Sequence, residues 1–291
     1  MLLHLRKYYR PRSVEAAIRL LSANPGRCRI LSGGTYLLAQ PQNDLEEVVD
    51  ISDLRLKSIK QDEKFIHLGA AVSLQSIIDY PRLKKFAGGI LGSACRCSSV
   101  SKMIRNQRTL GGELVSASQG DLAAVLSILD ARVKLVSYSM EEREMGLAEF
   151  WALRSKARGK KDSAGIMPGL ALEILVPRLQ MNFVAAYERV AQIESQPSLI
   201  SAAVFLQLGE DRVCETARAV LGSCSDAVVR LTQLEKKLTG KGFTPELADE
   251  AVETGMDDFR PRDDSNASAA YRKAVAPALV RRALERCLKG K

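Results

Sequence analysis

"ILSGGTYLLAQ" (Ile30 to Gln40) runs from small apolar residues into Ser32, Gly33 and Gly34, then resumes with helix formers. Two glycines between a strand pattern and a helix pattern have two readings. Either the chain merely turns there, or something must approach a backbone stripped of side chains. The surroundings sharpen the question. Upstream, "RPRSVEAAIRLLSANPG" offers Ser13 as an N-cap and places Val14, Ala17, Ile18 and Leu21 on one helical face, until Pro25–Gly26 stops it. "RCRILS" is then a short strand, "TYLLAQ" a short helix and "EEVVDIS" the next strand. Residues 1–55 therefore read as a small strand–helix–strand unit, with the glycine turn at a strand end, where such sheets bind ligands.

A second glycine pair follows in "RNQRTLGGELVSASQGDLAAVL", with Thr109, Gly111 and Gly112 ahead of Asp121. Successive backbone N–H groups at such turns form an anion nest. The first pair also precedes a predicted helix, whose N-terminal N–H groups would add partial positive charge. Two facing turns would suit a pyrophosphate. Neither pair fits G-x-G-x-x-G or the Walker pattern. Spacing alone leaves phosphate binding and two structural turns both open.

Beyond Lys64 the pattern changes. "KFIHLGAAVS" reads as a strand, and Ser73 caps a helix holding Leu74, Ile77 and Ile78. "LAAVLSILDA" is a buried helix, "RVKLVS" a strand with alternating faces, and "LALEILVP" a strand halted by Pro177, with a domain boundary near residue 180. In the last third, "SLISAAVFLQL" and "RVCETARAVLG" read as antiparallel strands. Three helices follow: Ala227 to Leu238, one begun by Thr244 with Pro245 at its first position, and a basic one from Ser268 to Leu288.

The 291 residues, 46% hydrophobic and 26% charged, suit a globular protein of two domains. No apolar run approaches the ~18 residues of a membrane span. The start shows no signal-peptide pattern, so the expected compartment is the cytoplasm. Six scattered cysteines without C-x-x-C, and only His4 and His67 to help them, make a zinc site or an iron–sulfur cluster on this chain unexpected. The formal charge of +9 permits a nucleic-acid partner, but the basic residues are dispersed, and "RSKARGKKD" (Arg154 to Asp162) reads as a solvated loop. We expect no nucleic acid and no metal. No Ser–His–Asp, H-E-x-x-H or paired-carboxylate set is present, and Glu188 and Glu194 read as surface carboxylates. No residue is therefore assigned as catalytic.

"ILSGGTYLL", "LGAAVSL", "MIRNQRTLGGE" and "DLAAVLSILDARVKL" fall in the order found in the FAD-binding (medium) subunits of molybdenum hydroxylases, the flavoproteins of xanthine dehydrogenase-like and carbon monoxide dehydrogenase-like complexes. "YERVAQ", "LTGKGFT" and "DDSNASAAYRKAVAPALVRRAL" resemble that family's flavoprotein C-terminal domain. The resemblance covers nearly the whole chain. It implies an α+β fold: a two-lobed FAD-binding domain of the PCMH/vanillyl-alcohol-oxidase type over 1–180 (a βαβ lobe, 1–55, and a larger mixed lobe, 56–180). A C-terminal domain over 181–291 would carry an antiparallel sheet and three helices. Carried over by position, it puts Ser32, Gly33, Gly34, Thr35 and Tyr36 around the FAD pyrophosphate, with Thr109, Leu110, Gly111 and Gly112 as the opposing loop. Asp121 would bond the sugar-alcohol portion, Leu170 or Ala171 would pack on the flavin side, and Arg189 falls near a family lysine or arginine. Glu113 replaces the usual asparagine, and the loop onward to Asp121 is one residue shorter and lacks the common proline. A carboxylate aimed at a diphosphate would repel it, so Glu113 is expected to turn away.

The function implied is electron relay. Substrate is hydroxylated at molybdopterin on a large partner subunit, a small partner carries two [2Fe–2S] clusters, and noncovalent FAD on this chain passes electrons to NAD+ or another acceptor. Purine oxidation is the family's commonest case. Two other readings stand beside it: a scaffold subunit that has lost FAD, and a stand-alone flavin reductase.

Overall fold

The structure, a computed structural model, describes residues 4–39, 45–117, 119–158, 169–179, 182–194, 196–257 and 259–290. The chain divides into two compact units. One comprises Met1–Ser76, Ser101–Ser116 and Asp130–Arg178; the other comprises Ile77–Val100, Ala117–Leu129 and Leu179–Lys291.

The first unit holds two sheets. A three-stranded parallel sheet runs in the order Lys7–Tyr9, Glu47–Asp50, Cys28–Leu31. Parallel neighbours need a crossover, and the helix Val14–Ala23 lies between the outer strands in sequence. Ser13 starts it as expected, its Oγ accepting from the Ala16 amide at 3.1 Å. Ile18 and Leu21, each 1% exposed, pack with Cys28, Val49 and Ile51. At ~1.5–3 kcal/mol for each fully buried aliphatic side chain, these two together contribute ~3–6 kcal/mol.

The second sheet is antiparallel throughout, ordered Ile59–Gln61, Phe65–Gly69, Gly169–Pro177, Arg132–Ser137, Glu142–Gly146. His67 stands on it between two carboxylates, Nε2 at 2.8 Å from Asp62 Oδ2 and Nδ1 at 3.1 Å from Glu173 Oε2. The two carboxylates hold the histidine in place on the sheet. The helix Leu147–Arg158 follows, and the chain's one tryptophan, Trp151, donates Nε1–H to the Leu114 carbonyl at 3.0 Å.

The second unit is built on a four-stranded antiparallel sheet, ordered Val229–Arg230, Cys214–Gly222, Ile200–Leu208, Phe183–Val190. Its core joins the sheet to the helices Thr232–Leu238, Pro245–Thr254 and Ala269–Leu288. Thr244 and Ser268 cap the last two, accepting from the Leu247 and Tyr271 amides. Arg272, 1% exposed, is fully enclosed, and its guanidinium donates to the Leu199, Arg262 and Ala267 carbonyls and to Asp264 Oδ2. The helices Ile90–Ser98 and Asp121–Ile128 belong to this unit as well.

Four local expectations are corrected. "TYLLAQ" is not a helix: Thr35 to Ala39 form turns closed by Leu38 N–H to Gly34 O (2.9 Å) and Ala39 N–H to Tyr36 O (3.2 Å). Pro41 two residues on disfavours helical backbone before it, and one turn cannot repay helix nucleation. The second glycine pair is not an open turn but the start of the helix Leu110–Ser116. The helix expected from Ala227 begins at Thr232, because Val229–Arg230 instead pairs with Leu221 and Val220 at the sheet edge. Arg154 to Arg158 are helical rather than loop, and residues 159–162 lie outside the described residues. No helix among the described residues is long and apolar enough to cross a membrane.

Candidate functional site

The strand Cys28–Leu31 ends at Ser32, and the chain turns sharply through Gly33 and Gly34. A Cβ on Gly33 would lie 1.7 Å from the Gln107 carbonyl oxygen, so only glycine fits. Gly34 sits at φ +71°, left-handed backbone that glycine adopts without penalty. Among the described residues, the amides of Gly33, Gly34, Thr35 and Tyr36 donate to no protein acceptor. A run of four open backbone N–H groups beside a cavity is a ready anion nest.

That cavity has a volume of about 350 Å³ and lies within the first unit. It falls in the ~300–1,000 Å³ range of ligand sites. Ser32 to Leu37 form one corner, and Arg108, Thr109, Gly111, Gly112 and Glu113 form another. Leu21, Ile30, Ile51, Tyr138, Leu170 and Ala171 give it an apolar wall. Burial pushes the Tyr138 phenol up to about 12, so it stays neutral there.

The second corner differs from the first. Leu110 N–H donates to Val72 O (2.9 Å), Gly111 N–H to Ala70 O (2.8 Å), Gly112 N–H to Thr109 Oγ1 (3.3 Å) and Glu113 N–H to Thr109 O (2.9 Å). Its amides are spent on the fold. Gly111 is needed because a Cβ would meet the Ala70 carbonyl oxygen at 2.9 Å. Open amides therefore occur at the first glycine pair and not at the second.

Charge resolves the problem of Glu113. Its side chain is 8% exposed, and the residue lines the cavity. Alone it would oppose an anion 4 Å away by ~4 kcal/mol at an effective dielectric of 20. Arg108 Nε lies 3.6 Å from its Oε2 and offsets that charge. Arg29 and Arg154 line the same cavity, so its charged lining residues are three arginines and one glutamate. The sequence reading singled out none of the three. Arg108 was inside the quoted motif, directly before Thr109, and its charge beside Glu113 was the available signal.

Of the residues named from the sequence, Ser32, Gly33, Gly34, Thr35, Tyr36, Thr109, Gly111, Gly112, Glu113, Leu170 and Ala171 line the cavity together. Leu110 is fully buried and does not line it. Asp121 and Arg189 belong to the second unit. Asp121 is 6% exposed; its Oδ2 accepts from Ser198 Oγ at 2.7 Å, and its Oδ1 has no partner among the described residues. Arg189 donates to the Glu194 and Gln196 carbonyls. Nearby Tyr187 is shifted strongly upward, first by burial and then by Asp121. Glu188 is ion-paired with Arg286 and mostly buried, rather than the surface carboxylate expected.

Residues 4–166 match the family described as the FAD binding domain in molybdopterin dehydrogenase, and residues 185–287 match the CO dehydrogenase flavoprotein C-terminal domain. The chain is 26% identical to the nicotinate dehydrogenase FAD-subunit of Eubacterium barkeri, covering 92% of this chain and 90% of that one. It is also 26% identical to the caffeine dehydrogenase subunit beta of Pseudomonas sp. (strain CBB1), covering 96% and 93%. In fold it matches a carbon monoxide dehydrogenase chain from Hydrogenophaga pseudoflava, with a TM-score of 0.86, 23% identity and 99% of both chains covered. With a bare glycine corner, an arginine-lined cavity and both domain matches in place, the chain belongs to the FAD-binding flavoprotein subunits of the molybdenum hydroxylases, oxidoreductases by family.

Proposed function

We propose that this chain is an electron relay, receiving electrons from [2Fe–2S] clusters on a small partner and delivering them to NAD+ or another acceptor. In this reading substrate is hydroxylated at molybdopterin on a large partner. The observation that carries it is the run of open amides at Gly33 to Tyr36 inside a cavity of net positive charge. These features fit FAD: the amides suit its diphosphate and the apolar wall suits a planar ring. When bound, FAD supplies the exchange between single electrons and a hydride.

The chain's own part is to bind and orient. Ser32 to Tyr36 would hold the diphosphate on backbone donors, which add charge without a mobile side chain. Thr109, Gly111 and Gly112 would let the ligand approach closely, while Leu170 and Ala171 exclude water along one wall. Asp121, whose Oδ1 has no partner among the described residues, and Arg189 are kept as cofactor-binding residues on the family resemblance. Attachment is noncovalent, since His67 is held by Asp62 and Glu173 and does not line the cavity. Exposed Tyr36, Leu38, Met103 and Ile104 supply apolar surface for partner chains.

The substrate is taken to be a purine, which the caffeine enzyme among the relatives supports. Six free thiols are in keeping with the cytoplasm. The two domains are taken as 1–180 and 181–291, in line with the separate family matches. The test is purification from the native source with flavin and partner analysis. A yellow complex that releases FAD on denaturation and holds molybdopterin and iron–sulfur chains is expected. A colourless chain that takes up no FAD would replace this reading with the scaffold one, and NADH oxidation without partners would replace it with the flavin reductase.

A further inference from the structure

We infer that Arg108 and Glu113 act as one charge-compensated unit that sets the cavity's affinity for a diphosphate, with Arg108 cancelling a carboxylate that would otherwise repel it. This rests on the FAD reading above, and deepens it.

The first corner can meet an anion with open amides, whereas the second has engaged all four of its own with Val72, Ala70 and Thr109. What the second corner presents to the cavity is therefore side-chain charge. That charge is an acid, Glu113, and a base, Arg108, 3.6 Å apart and lining one cavity. Both are held on fixed backbone. Arg108 N–H donates to Ile104 O at 2.7 Å, its carbonyl accepts from Leu74 N–H at 2.9 Å, and Thr109 bridges to Ser73. The Arg108 side chain is 26% exposed. Its five donors can serve a carboxylate and still face the cavity.

The consequence is a specific pattern in a double-mutant cycle. Losing Arg108 alone exposes the carboxylate and removes a positive charge. Losing Glu113 alone raises the cavity's net charge. Losing both returns the net charge to its original value, because one cation and one anion leave together.

The experiment titrates the full chain, stripped of flavin, with FAD and with riboflavin, which lacks phosphate, at two salt concentrations. R108Q is expected to weaken FAD binding about tenfold or more, equal to ~1.4 kcal/mol. It should leave riboflavin within about threefold and flatten the salt dependence of FAD binding. E113Q is expected to bind FAD at least as tightly as the native chain, and R108Q/E113Q to return within about threefold of it. R108Q binding FAD normally, or the double variant binding as poorly as R108Q, overturns the inference. Should R108Q fail to fold, E113Q and the double variant still decide: weak FAD binding by either one refutes it. A native chain that binds no FAD at all refutes the functional reading instead, which keeps the two failures apart.

Discussion

Gly33→Ala tests the geometry on which the site depends. The added Cβ would sit 1.7 Å from Gln107 O and 2.6 Å from Gln107 C, whereas real Cβ atoms essentially never approach within 3.0 Å. The shortfall of 1.3 Å (3.0 against 1.7) falls on backbone at both ends, so no side chain can rotate to relieve it. Either the glycine corner moves, taking the open amides with it, or the end of the helix Lys102–Gln107 moves. The second route pulls Arg108 and Thr109, which are bonded to Leu74 and bridged to Ser73. Overpacking of this kind costs ~1–3 kcal/mol, occasionally more, and it disorders one corner of the cavity. Urea unfolding gives the stability change, and the ratio of visible to ultraviolet absorbance gives bound flavin. Gly34→Ala is the control. Its nearest contacts are the Leu38 and Leu31 side-chain ends at 3.2 and 3.4 Å, so it bears mainly the ~1–2 kcal/mol of left-handed backbone. It should lose stability but keep more flavin than Gly33→Ala. A Gly33→Ala protein with native stability and a full complement of flavin would show that the close approach at Gln107 is not what this glycine is for.

Two further outcomes are expected. Arg272→Met should cost the second unit ~3–5 kcal/mol by leaving Asp264 and three carbonyls without their buried donor, read as a lowered urea midpoint; a change under ~1 kcal/mol would contradict its structural role. His67 gives a pH signature. Burial lowers its pKa, but Asp62 and Glu173 outweigh this and raise it above 6.5, so its stabilising effect is full below the unfolded value and is lost as pH rises through the folded one. The backbone bonds of Phe65 and the His67 ring hold Asp62 down at about 2, so its share is present above 3.8 and lost as pH falls towards 2. Native stability should therefore decline above about pH 6.5, and His67→Gln should flatten that limb of the urea-midpoint profile.

Much of this protein was readable from the chain alone where the signal was local. Ser13, Ser73, Thr244 and Ser268 announce helices because a cap bonds an amide three residues ahead, and all four do so. The alternation in Arg132–Ser137 reports a half-buried strand because residues two apart share a face. The glycine pairs marked the cavity, and with the motifs around them they identified the family. Tertiary structure alone decided how the two pairs differ. The amides at Gly111 and Leu110 are closed off by Ala70 and Val72, which are remote in sequence, and nothing local distinguishes a bonded amide from an open one. Pairing across the sheet edge likewise took Val229–Arg230 away from a helix that its own sequence favoured. Glu113 looked like a defect when read one position at a time. Only the folded backbone brings Arg108 to within 3.6 Å of it, because residues five apart share no helical face, and their encounter depends on the extended backbone at Arg108.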